Sequence, residues 1–362
     1  MGKQNMINVT KTFFPLLEEY TGYLERIWKN EWLTNRGELV KELEGKLKNY
    51  LDVRHLTLTT NGTLPIQIAI KSLELKGEII TTPFSYVATT SAIVWEGCTP
   101  VFVDIDAEYL TIDEKKIEAA ITEKTSAILA THVFGNPCNV GTIAKIAKKY
   151  NLKVIYDAAH CFGVEYKGNS IFNYGDVSTC SFHATKIFHT GEGGCWITND
   201  ESLHSKMYYQ HNFGHNGPGK YAGVGINAKM SELQAAMGLA IYNHIASIIE
   251  AREIAVATYQ KNLDYSQLQG LKLIEGTDWN AHYFPVIFKT EKKLLNVQRK
   301  LNEEGYVPRR YFYPSLNTLN YVTGECPISE SIAARVLCLP LSADIEEHNI
   351  LKICKVINDL NL

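Results

Sequence analysis

The sequence predicts an α/β fold: a mostly parallel central sheet with helices on both faces, followed by a small C-terminal α+β domain. Three observations predict it. Short β-rich runs alternate with helical stretches through the first half of the chain. Those runs are apolar on both faces, as the strands of a sheet covered on both sides must be. The length of 362 residues, with 45% apolar and 21% charged side chains, suits one large or two modest folded domains.

The elements follow in order. Leu39, Leu43 and Leu47 recur four apart, which predicts an amphipathic helix over 38–51. A second helix is expected over 64–75, with Pro65 in its first turn, where a missing N–H costs least. Strands are expected over 79–82, 101–103, 127–130 and 154–156, separated by helices over 86–95, 113–121 and 142–150. Segments 177–182 and 195–198 read as further strands near a turn. A proline-free helical pattern over 231–262 is long enough to bridge two domains. Beyond it come a strand at 283–288, a helix at 292–304, a strand at 337–339 and a helix at 346–360. This organisation divides the chain into a large domain over 1–240 and a small one over 241–362 that begins in the bridging helix.

Charge and cysteines exclude several function classes. Lys and Arg total 36 against 39 Asp and Glu, a net charge of −3. So balanced a chain has no bulk field to hold nucleic acid or an anionic membrane. No apolar run approaches the roughly 18 residues of a membrane span, and Met1 to Met6 carry no apolar signal core. No nucleic-acid or membrane partner is expected, and a cytoplasmic location is. The eight cysteines form no C-x-x-C pair and read as buried free thiols, so neither a disulfide framework nor a metal is expected.

Chemistry concentrates at three places. Asp157 closes an apolar strand, at the end where α/β sheets place ligands. Lys186 follows a strand and precedes Gly191-Glu192-Gly193-Gly194; it reads either as a Schiff-base amine or as a surface lysine beside a turn. Thr59-Thr60-Asn61-Gly62-Thr63 leads into the 64–75 helix. Small residues there leave backbone N–H groups for a phosphate, and Thr63 also suits an ordinary cap. The glycine-rich 217–225 segment lacks G-x-G-x-x-G spacing and a preceding strand, so it reads as a mobile loop. A phosphate cradle, a carboxylate and an amine together suit pyridoxal 5′-phosphate (PLP), whose protonated ring is an electron sink.

At this point the chain resembles the DegT/DnrJ/EryC1/StrS family of sugar aminotransferases, over nearly its whole length. The resemblance rests on Asn61-Gly62-Thr63, Pro83 to Thr89 (Pro-Phe-Ser-Tyr-Val-Ala-Thr), Val103-Asp104-Ile105 and Asp157-Ala158-Ala159-His160. It continues through Ser181-Phe182-His183-Ala184-Thr185-Lys186, the Gly191 to Gly194 turn and Asn227 to Glu232. It implies the PLP-dependent transferase fold type I. It also implies that Lys186 holds the cofactor aldehyde and shuttles a proton, and that Asp157 partners the pyridinium. His160 matches a position, often Gln, beside the ring hydroxyl, and Tyr86 the aromatic that stacks on the ring. Gly62, Thr63 and Ser181 match phosphate contacts. Asn227 matches an asparagine given by the neighbouring subunit, which implies a homodimer with shared active sites. For Tyr86 and His160 a purely structural place in the core stands beside these roles.

The resemblance further implies transamination from L-glutamate to a nucleotide-linked ketosugar. It is strongest toward members that aminate C4 of dTDP-4-keto-6-deoxyglucose for cell-surface polysaccharide of the O-antigen type. C3-aminating members, other PLP chemistry such as dehydration or amination of a cyclitol ketone, and a non-catalytic regulatory protein on the same fold are the alternatives. Lys186 favours transamination, since members that dehydrate carry histidine there. Arg309-Arg310-Tyr311-Phe312-Tyr313-Pro314 offers guanidinium forks for a diphosphate and aromatics for a ring, or is a solvated basic pair beside core tyrosines. Trp32 to Gly37 resembles a loop that lines the sugar pocket. The substrate-binding candidates are therefore Thr34, Arg309, Arg310 and Tyr313.

Overall fold

The computed structural model describes residues 6–361; residues 1–5, part of the segment read for a signal core, lie outside them. Seven strands build the central sheet: β1 His55–Thr59, β2 Glu78–Thr81, β3 Thr99–Phe102, β4 Thr125–Thr131, β5 Lys153–Asp157, β6 Val177–Ser181 and β7 Gly194–Thr198. Their order is β3-β2-β4-β5-β6-β7-β1. β7 runs antiparallel to both its neighbours, and every other pairing is parallel. The expected two-sided burial follows the strand period of two. Ile128 and Ala130 of β4 face one apolar layer while Ala127 and Leu129 face the other. Val154 and Tyr156 of β5 divide from Ile155 in the same way. Chain order reverses between β2 and β4, which opens a crevice at the C-terminal ends of these strands.

A second apolar cluster gathers around a small antiparallel sheet of β8 Leu268–Gly270, β9 Phe284–Phe288 and β10 Val336–Leu339, in that order. Val286, Phe288 and Leu337 bury against Leu294 and Leu301 of helix Glu291–Glu303 and Ile353 of helix Glu347–Asn361.

The single bridging helix expected over 231–262 is two helices, Glu232–Tyr242 and Ile245–Asn262. The break lets one stretch face two cores: Ala235 and Leu239 join the large cluster, whereas Ala255, Val256 and Tyr259 join the small one. His244 lies at the break with Nε2 2.9 Å from the Glu19 carboxylate of helix Leu17–Asn30. That N-terminal helix was not expected, although Tyr20, Tyr23, Leu24 and Ile27 recur at helical spacing and pack on the large cluster. Ahead of it, Ile7 and Asn8 pair with Tyr306 and Val307 of the small unit, and the Val9 carbonyl accepts from the Leu341 amide. The Phe13 carbonyl then lies 2.7 Å from His189 Nε2, next to the Lys186 loop. The helix expected over 113–121 is shorter, Glu114–Ile117 continued by a tighter turn at Glu118–Ala120. All eight cysteines are buried and free. Among the described residues no helix is long and apolar enough to cross a membrane.

Candidate active site

At the crevice lies a cavity of about 270 Å³. Asp157 reaches it from the end of β5, Thr131 from the end of β4, and Ser85 and Tyr86 from the loop after β2. Gly62, Thr63 and Ser181 line one wall, and Tyr283, Arg309, Tyr311 and Phe312 arrive from the small unit. Parallel strands ending side by side bring together residues far apart in sequence.

Lys186 sits in a loop folded tightly between β6 and β7. Its amide donates to the His183 carbonyl at 2.8 Å, and the Ala184 amide donates to the Gly191 carbonyl at 2.7 Å. The Gly193 backbone passes so close to Thr190 that a Cβ there would lie 1.9 Å from the Thr190 hydroxyl, which explains this glycine. Burial lowers the Lys186 amine from its ordinary value to about 8, with the Asp157 charge acting the other way. Its Nζ lies 5.8 Å from the centre of the Tyr283 ring.

Asp157 is buried with no arginine beside it. Thr89 Oγ1 donates to Oδ2 at 2.6 Å and the Ala159 amide to Oδ1 at 3.1 Å. Burial pushes this carboxyl up, against the pull of those two donors and of Lys186.

His160 has a defined tautomer. The Phe134 amide donates to its Nδ1 at 3.1 Å, so Nδ1 is an acceptor and the proton of the neutral ring is on Nε2. Burial, with Lys186 nearby, holds the ring well below the usual histidine range. It stacks on aromatic neighbours, parallel to Phe312 at 5.7 Å and inclined by 25° to His282 at 4.9 Å. His160 therefore offers one N–H donor to the cavity it lines.

At the opposite wall, Asn61 Oδ1 accepts from the Thr63 and Leu64 amides, both at 2.9 Å. The helix is thus capped by Asn61 and not by Thr63, which makes no side-chain cap bond. The Gly62 backbone stands against Ser181, where an added Cβ would lie 2.8 Å from the Ser181 Cβ.

The substrate-binding candidates separate. Arg309 lines the cavity and lies over Tyr311, its Cζ 4.9 Å from the ring centre. Arg310 points away, bonding Glu291 at 2.7 Å and the Ala334 carbonyl at 2.9 Å, with Tyr313 against its guanidinium at 3.5 Å. Neither Arg310 nor Tyr313 is part of the lining. Arg309 exchanges backbone hydrogen bonds with Cys338, and the extended backbone sends adjacent side chains to opposite sides. Thr34 is exposed on the loop before helix Glu38–Tyr50, away from the lining. Asn227 is also exposed and outside it, accepting from Lys229 Nζ at 2.7 Å. It does not cap the next helix, since Ser231 does.

Sequence reasoning gave no role to Thr89, Ser85, Thr131, His183, Glu192 or Tyr283. The first two lie inside the quoted Pro83 to Thr89 run, but hydroxyl groups carry no periodic signal. A grouping of His55, Glu201 and His204 lies away from the cavity, on β1 and helix Glu201–Gln210. Its imidazoles stack with centroids 4.6 Å apart, and His55 Nε2 lies 3.3 Å from the Glu201 carboxylate.

The profile of the DegT/DnrJ/EryC1/StrS aminotransferase family matches residues 16–358. A dTDP-4-amino-4,6-dideoxy-D-glucose transaminase of Shigella dysenteriae is 40% identical over 98% of this chain and 99% of that protein. One of Escherichia coli is also 40% identical, over 97% and 98%. Among solved structures, DesI in the presence of its TDP-sugar product superposes with a TM-score of 0.94 at 31% identity, covering 99% of this chain and 93% of that one.

Proposed function

The chain belongs to the DegT/DnrJ/EryC1/StrS aminotransferase family, and from that premise we propose that it moves an amino group from L-glutamate to C4 of dTDP-4-keto-6-deoxyglucose, in the cytoplasm. The observation that carries the reading is one cavity holding Lys186, Asp157 and the Gly62–Ser181 wall, in a chain that shares 40% identity with transaminases of that sugar.

The lining fits PLP group by group. Gly62, Thr63 and Ser181, which line one wall of the cavity together, would hold the phosphate, with the Thr63 amide already engaged by Asn61. Lys186 Nζ would hold the aldehyde, and the buried Asp157 carboxylate, with no arginine beside it, would hold the proton of the ring nitrogen. His160, protonated on Nε2, would donate to the ring hydroxyl, and Tyr86, 58% exposed, would offer an aromatic face. When bound, PLP supplies the electron sink that lets a substrate carbon lose its proton. Lys186 Nζ, lowered to about 8, then takes up and returns that proton close to neutral pH. Tyr283, Phe312 and Tyr311 narrow the water-accessible space around that amine. Arg309, the guanidinium in the lining, orients the diphosphate of the sugar nucleotide.

Asn227 belongs to a second site in this reading. Its loop carries exposed Phe213, Tyr221, Val224 and Ile226, an apolar surface suited to cover by a second copy of the chain. A homodimer would bring the Asn227 amide to the phosphate wall of its neighbour. The proposed division near residue 240 is supported by the break at Asn243 and by the separate apolar clusters that Leu239 and Tyr259 join on either side of it.

The test is to offer dTDP-, UDP- and GDP-ketosugars with glutamate and assign the amine position by NMR. A C4 amine on the dTDP sugar is expected. A C3 amine alone, or no transfer, overturns the reading.

A further inference from the structure

Along the cavity wall, from Thr131 and Ser85 in the lining to Thr89 behind it, runs a continuous line of buried hydroxyls. Thr131 Oγ1 donates to Ser85 Oγ at 3.0 Å, Ser85 Oγ and Thr89 Oγ1 are 2.8 Å apart, and Thr89 Oγ1 donates to Asp157 Oδ2 at 2.6 Å. Ser85, Thr89 and Thr131 are each 3% exposed or less. They come from three separate places: the end of β4, the loop after β2, and the first turn of helix Val87–Trp95. Parallel register sets Thr131 directly beside Asp157.

The direction of the line follows from proton counting. An ionised carboxylate only accepts, so Thr89 spends its one hydrogen on Asp157. The Ser85–Thr89 bond must then be donated by Ser85, whose own oxygen accepts from Thr131. Every hydroxyl points its hydrogen toward Asp157. If Asp157 took up a proton at Oδ2 and donated it to Thr89, the Thr89 hydrogen would have to turn away, and passing it to Ser85 would reverse Ser85 and Thr131 in turn. The arrangement thus opposes the tendency of burial to neutralise the carboxyl.

We propose that Thr89, Ser85 and Thr131 form a one-way hydroxyl chain that keeps Asp157 ionised and aimed at the ring nitrogen, so that Thr89 is a positioning residue for amino transfer. This rests on the role given to Asp157 above. Thr89 touches neither substrate nor cofactor in this scheme; it acts through the carboxylate. The geometry also ranks the three hydroxyls. Thr89 makes a bond to a charged group, whereas Ser85 and Thr131 act at one and two removes.

The experiment loads the protein with PLP carrying nitrogen-15 in its ring and reads the ring-nitrogen resonance, which separates protonated from neutral pyridine. Wild type is compared with Thr89→Val, Thr89→Ser, Ser85→Ala, Thr131→Val and Asp157→Asn. Thr89→Val should move the resonance toward the neutral value and slow the glutamate half-reaction roughly 10- to 100-fold, the weight of one bond to a charged group. Thr89→Ser should restore both, and Ser85→Ala and Thr131→Val should give smaller shifts in that order. Should Thr89→Val fail to fold, Ser85→Ala and Thr131→Val carry the comparison. A wild-type resonance in the hydroxyl variants, with a moved one in Asp157→Asn, overturns the chain and leaves the Asp157 role standing. A wild-type resonance in Asp157→Asn overturns both.

Discussion

Gly62 and Ser181 stand in backbone-to-side-chain contact in the cavity wall: a Cβ on residue 62 would lie 2.8 Å from the Ser181 Cβ and 3.0 Å from its Cα. Ser181 ends β6 and cannot retreat without disturbing its pairing with Gly194. Gly62→Ala should therefore push the wall apart and weaken PLP binding by roughly 10- to 100-fold, the usual cost of an overpacked site. Titration of apo-protein with PLP measures it, and an unchanged Kd refutes the assignment.

The Lys186 amine gives a pH prediction. Its value is lowered from 10.5 to about 8, and the neutral amine is the form that attacks an aldehyde. The neutral fraction rises as pH rises through that value. Capture of PLP by apo-protein should accelerate with pH and level off above about 9. Below about 7 it should fall close to tenfold per pH unit. Stopped-flow absorbance follows it; a rate still climbing through 10.5 would show an unperturbed lysine.

Asn227 is the subject of a mixing experiment. Chains carrying Lys186→Ala and chains carrying Asn227→Asp, each expected to be inactive alone, are dissociated, mixed and reassociated. If sites are shared, one site of each mixed dimer carries both lesions and the other neither. Random pairing then returns about a quarter of wild-type activity. Sites built within single chains would return none.

Arg309 and Arg310 are adjacent in sequence and opposite in effect. Arg309→Gln should raise KM for the sugar nucleotide roughly tenfold while leaving thermal stability near wild type. Arg310→Gln should leave KM unchanged and lower stability by about 1–2 kcal/mol, because it removes the bonds to Glu291 and the Ala334 carbonyl. Paired steady-state kinetics and melting curves check both.

The strands were legible because a sheet buried on both faces leaves short, continuous apolar runs, as at Ala127-Ile128-Leu129-Ala130. Edge strand β1 was missed: His55-Leu56-Thr57-Leu58-Thr59 alternates apolar and polar and carries no such run. The helix break at Asn243 was hidden because no proline or glycine marks it; tertiary packing on two cores imposes it. At the site, Lys186 and Asp157 were readable from their places after strands. Arg309 could not be told from Arg310, since only the extended backbone at Cys338 decides which one faces the cavity. Hydroxyls such as Thr89 leave no trace in periodicity, and their meaning exists only once β2, β4 and β5 lie together.

The N-terminal arm has a mechanical consequence. It is stitched to the small unit at Ile7, Asn8 and Val9, touches His189 beside the Lys186 loop, and then enters a helix packed on the large core. The interruption at Asn243 and His244 would otherwise be the natural pivot between the two halves. The arm joins both halves, and its helix meets the break directly through Glu19 and His244, which restrains rotation there. Arg309, Tyr311 and Phe312, which line the cavity with Lys186, belong to the half so restrained. Clipping the chain between Val9 and Leu17 should leave both halves folded and let the mouth swing, so that affinity for the sugar nucleotide is lost before either core melts.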